Sequence, residues 1–63
     1  MSEIALQLHA RIDIQDATIM AAIVEDIDPR FLARLKAVRN DLARAWGAQI
    51  LRDQFIAAGK VTA

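Results

Sequence analysis

The chain has 63 residues, 56% of them apolar, with eight basic and eight acidic side chains and no cysteine. That allows one domain with a small interior. It excludes disulfides and thiolate zinc sites, and leaves oligomerisation as the support open to a marginal fold. The neutral total hides a split: residues 1–29 carry six acids and one base (net −5), and residues 30–63 carry seven bases and two acids (net +5). Either the halves neutralise each other or the basic half meets an acidic partner.

The N-terminus shows no basic stretch leading into an apolar core, so no secretory signal is read. The longest apolar run, Ile19 to Val24, is far too short to cross a bilayer. These features lead us to expect a cytoplasmic protein with no membrane partner.

In "EIALQLHARIDI", residues 3–14, every even position is apolar, from Ile4 through Leu6, Leu8, Ala10 and Ile12 to Ile14. The odd positions are polar except Ala5. Alternation with period two predicts a half-buried strand over about 3–13. From Asp16 the spacing turns helical, through Ile19, Ile23 and Ile27. The prediction is a helix over about 16–27, with Asp13 or Asp16 as its N-cap.

"IDPRFL", residues 27–32, is a helix start. Asp28 serves as N-cap, Pro29 sits where its missing amide costs nothing, and Ile27 can staple onto Leu32. Proline also ends the preceding helix. The next helix is predicted over about 29–46, with Phe31, Leu35, Val38, Leu42, Ala45 and Trp46 as its apolar stripe. Gly47 interrupts the pattern, and Ala48, Leu51, Phe55 and Ala58 lie off that stripe. The chain therefore bends there or starts a third helix over about 48–58. Gly59 is the natural stop, and 60–63 is a frayed tail.

The expected fold is mainly α with one N-terminal β-strand, a β-α-α layout, or β-α-α-α if a short third helix starts after Gly47. A lone strand leaves its backbone groups unpaired, so its neighbour should come from a second copy. The result would be an intertwined homodimer with an intersubunit antiparallel β-ribbon. Ile4, Leu6, Leu8, Ile12, Phe31, Leu35, Leu42 and Trp46 would build its interface.

Catalytic chemistry is poorly represented. The chain has one serine, no tyrosine and no glycine-rich phosphate loop. His9 and Asp13 would stand about 13 Å apart on a strand. The acids Glu25, Asp26 and Asp28 lack the spacing and turn glycine of a calcium loop and are explained by helix ends. No enzyme activity, metal or cofactor is expected.

A strand pair followed by two helices resembles the layout of ribbon-helix-helix repressors. The resemblance implies that the outward residues Gln7, His9 and Arg11 would read base edges in a major groove. The chain departs from that family in its "DP" connection, its long second helix and a ribbon that is not basic. Arg30, Arg34 and Arg44 would then have to hold phosphates. The leading expectation is a non-enzymatic homodimer or larger oligomer that binds a protein. A dimeric DNA-binding repressor or antitoxin is the first alternative. A structural subunit of a larger phage or cellular assembly, growing through Leu51 and Phe55, is the second.

Overall fold

A computed structural model describes residues 2–59 of the chain. They form two helices, α1 (Glu3–Val24) and α2 (Pro29–Ala57), packed as a helix–helix hairpin. Residues 60–63, expected to fray, lie outside the described residues.

Among the described residues there is no strand, which overturns the β-α-α fold and the intersubunit ribbon. The alternating segment 3–14 is the first half of α1. Its composition explains the outcome. Glu, Ala, Leu, Gln and Arg are good helix formers, and β-branched residues are confined to Ile4, Ile12 and Ile14. A helix also pairs its backbone internally and needs no second chain to do so. The start is fixed by Ser2, whose hydroxyl accepts from the Ala5 amide at 3.2 Å, with Glu3 in the first turn beside the positive helix end. Asp13 and Asp16, expected as caps, lie within α1, and the helix predicted over 16–27 is its second half.

The connection is a reciprocal C-cap. Asp26 adopts a left-handed conformation at φ 55°. Its amide donates to the Ile23 carbonyl at 3.2 Å, and the Ile27 amide reaches back to Ala22 at 3.1 Å. That is the Schellman arrangement, with aspartate where glycine is usual. Asp28 then caps α2 by accepting from the Arg30 amide at 2.8 Å, with Pro29 opening the helix, as "IDPRFL" predicts.

α2 runs unbroken through Gly47, so no third helix starts after it. A Cβ at Gly47 would meet nothing within 4 Å, so the glycine answers to no close approach. Gly59 is the stop, at φ +73° with its amide bonded to the Ile56 carbonyl.

The helices meet along a seam with a seven-residue repeat. In α1 it runs Ala5, Leu8, Ile12, Gln15, Ile19, Ala22, and in α2 Leu32, Leu35, Arg39, Leu42, Trp46, Gln49, Asp53, Ile56. Steps alternate between three and four residues, the pattern that keeps one stripe of each helix facing the other in a coiled coil. The Cα trace measures 48 × 16 × 11 Å, and the described residues make one layer of helices with no second layer. Its radius of gyration, 14.9 Å, exceeds the roughly 11 Å of a compact chain this long.

Candidate functional site

Small residues and polar rungs hold the seam. Among the described residues the buried apolar side chains are Ala5, Ile12 and Ala22, all on α1. Their α2 counterparts are half-buried. Three polar contacts set the register. The Ser2 amide donates to Asp53 Oδ2 at 3.1 Å, Gln15 Nε2 donates to the Leu35 carbonyl at 2.9 Å, and Arg39 Nε donates to Asp16 Oδ1 at 3.0 Å. Asp53 also accepts from Gln49 Nε2 at 2.9 Å. Hydrogen bonds from Ser2, then Gln49, hold the Asp53 carboxyl below its ordinary value against an opposing desolvation.

His9 tilts over the Trp46 ring, centroids 5.8 Å apart, with Nδ1 3.5 Å from Asp13 Oδ2. The helix brings this pair together where a strand would hold it far apart. The Trp46 indole N–H is buried and has no hydrogen-bond partner.

Among the described residues no three His, Asp or Glu side chains converge as a metal site. No helix there is long and apolar enough to cross a membrane. The shallow hollow at the open end, lined by Ile50, Asp53, Gln54 and Ala57, contains one ionisable side chain, already bonded to Ser2 and Gln49.

What the hairpin leaves exposed is large and apolar. Ile4, Leu6, Ile14, Met20, Ile23, Val24, Phe31, Val38, Leu51 and Phe55 all show 41% or more of their surface. At the spacing of a helical repeat eight of them fall on two flanks of the seam, while Val24 and Leu51 lie on the outer sides of their helices. The positions just before Ala5, Ile12 and Ile19 and before Leu32, Arg39, Trp46 and Asp53 carry Ile4, Arg11 and Thr18 on α1 and Phe31, Val38, Ala45 and Arg52 on α2. Because the helices are antiparallel, both sets border the same face of the hairpin, and Ile14 and Asp41 lie further out on it. The opposite face carries Leu6, His9, Asp13, Met20 and Ile23 from α1, and Lys36, Asn40 and Gln54 from α2.

The residues expected at an intersubunit interface therefore divide. Leu8, Ile12, Leu35, Leu42 and Trp46 pack in the seam within one chain, whereas Ile4, Leu6 and Phe31 are exposed. Gln7, His9 and Arg11 do not form the outward row of a ribbon, because successive residues on a helix turn about 100° apart. Arg30 sits beside Asp28 at 3.7 Å with its side chain 92% exposed, and Arg34 and Arg44 are exposed. Leu51 and Phe55 show 53% and 41% of their surface. Sequence reasoning missed the rungs at Gln15, Asp16, Arg39 and Asp53. The signal for Arg39 and Asp53 was the repeat 32–39–46–53, and that for Gln15 the repeat 8–15–22, each of which alternates apolar with polar residues.

No protein-family profile, curated protein or solved structure matches this chain.

Proposed function

We propose that the chain is a non-enzymatic interaction module, a helical hairpin whose exposed flanks dock another helical protein surface. The observation that carries the reading is the imbalance of burial. Three side chains are buried among the described residues, two of them alanines, while ten large apolar side chains stand exposed. Apolar surface of that extent on a small protein marks a place where another protein binds. A single layer of two helices also lacks the second layer that domains use to close a core. The reading takes the cytoplasm as its compartment, which suits a chain without cysteine.

Anilinonaphthalene sulfonate, a dye that brightens on accessible apolar surface, tests this. The folded chain at submicromolar concentration should light the dye while melting cooperatively by circular dichroism. A cooperative melt with a dark dye on a chain that light scattering shows to be a monomer would mean that no docking surface exists.

A further inference from the structure

We propose, resting on the reading above, that the partner is a second copy of this chain. It seats on the face bearing Ile4, Ile14, Phe31 and Val38, with the acidic α1 of each copy against the basic α2 of the other.

Area gives the first argument. A compact folded protein of 7.0 kDa exposes about 4,000 Å². This chain exposes 4895 Å². The excess of about 900 Å² is close to the roughly 800 Å² each partner buries in a standard interface. One further hairpin laid along this one is the right size to remove it, and the product is a four-helix bundle.

Charge gives the second argument and fixes the arrangement. α1 carries Glu3, Asp13 and Asp16 against Arg11, net −2, and α2 carries six bases against Asp41 and Asp53, net +4. A twofold axis across the helices would lay α1 on α1 and α2 on α2, setting two strongly basic helices together. A twofold axis along the helices lays α1 of each copy on α2 of the other, at equal heights and with both turns at one end. Opposite charges then alternate around the bundle.

The seam sets those heights. Ser2 meets Asp53, His9 meets Trp46 and Asp16 meets Arg39, so Arg11 stands level with Arg44 and Glu25 with Arg30. On the same face, three and four residues from those levels (about 4.5 and 6 Å along the helix), are Asp41 and Arg34. Across the axis Arg11 meets Asp41 of the second copy and Glu25 meets its Arg34, each pair occurring twice. The opposite face offers no such match: Asp16 is already bonded to Arg39 within the chain, Asp13 lies beside His9, and Lys36 stands six residues, about 9 Å, from the level of Asp13.

Size-exclusion chromatography with light scattering, followed by circular dichroism for helicity, tests the proposal on the full chain. The expected result is twice the chain mass at micromolar concentration, and a monomer that is still helical for Val38→Lys. Arg11→Asp and Asp41→Arg should each weaken the dimer about tenfold, and the double variant should restore it. This cycle decides the matter if Val38→Lys fails to fold. A wild-type monomer overturns the proposal, and a bright dye on that monomer would leave the interaction-module reading standing. A dimer that tolerates Val38→Lys but is lost in Leu6→Lys uses the other face and also overturns it. So does a double variant no tighter than the singles.

Discussion

Arg39 donates from Nε to Asp16 Oδ1 at 3.0 Å, joining the basic second half of the chain to its acidic first half across the seam. Both side chains remain about half exposed, at 40% and 49%. Solvent therefore screens the pair, and its coupling should stay below about 1 kcal/mol. Asp16→Arg and Arg39→Asp should each destabilise the hairpin, and the two together should recover most of the loss. Urea unfolding of the four chains at one protein concentration measures this. Additive losses would mean that the contact carries no coupling.

Asp53 predicts the acid side of the stability profile. Its carboxyl is lowered in the folded chain because Ser2 and Gln49 hydrogen-bond the charged form. As pH falls, the unfolded chain takes up the proton first, near the ordinary aspartate value of about 3.9. The contribution is complete above that value. It is lost as pH falls through it and then through the lower folded value. Melting temperature should fall on acidification, with a shallower slope for Asp53→Asn across this window. Parallel slopes would rule Asp53 out as a source of acid sensitivity.

Trp46 fills the seam with its ring but leaves a buried N–H unpaired. An orphaned donor costs about 1–3 kcal/mol. Trp46→Phe keeps most of the ring and removes the donor, so stability should change by less than about 1 kcal/mol. Trp46→Ala, which removes the packing too, should cost about 3 kcal/mol. Equal losses in the two variants by urea unfolding would show that the N–H has a partner in solution.

Backbone conformation predicts a set of opposite signs. Gly47 lies inside α2 with open space around it, so Gly47→Ala should stabilise by up to about 1 kcal/mol. Asp26 holds φ 55° without being glycine, so Asp26→Gly should stabilise by about 1 kcal/mol. In a chain this small each gain would raise the melting temperature by about 4–8 °C. Gly59→Ala, at φ +73°, should lower it. A lower melting point for Gly47→Ala would show that the glycine has a role in packing.

The turn was the legible part of this sequence. Asp28, Pro29 and Gly59 are local signals, and each acts through its own backbone, so neighbours alone decide them. The first helix was misread because 3–14 satisfies two periods at once. Leu8 and Ile12 belong both to the alternation and to the seam repeat. The deciding residue was Ala5, which breaks the alternation and continues the repeat into Gln15, Ile19 and Ala22. The seam of α2 was hidden for a different reason. Half its positions beyond Leu35 are polar (Arg39, Gln49 and Asp53), and a search for apolar stripes passes over them toward the exposed Phe31 and Val38. The flanks themselves are apolar without being core, which sequence periodicity cannot distinguish when the second layer belongs to another molecule.

That ambiguity yields the most direct check on α1. A strand would turn Leu6 inward and Ala5 outward. The helix does the reverse: Ala5 is 0% exposed and Leu6 57%. Ala5→Lys forces a long side chain into a closed seam position and should cost at least about 2 kcal/mol. Leu6→Lys replaces an exposed side chain on the flank away from Val38, and should stay within about 0.5 kcal/mol. Helicity by circular dichroism and urea midpoints at matched protein concentration compare the two. If Leu6→Lys proved the more damaging, residues 3–14 would not pack as α1 does here, because no helix in this register can bury Leu6 ahead of Ala5.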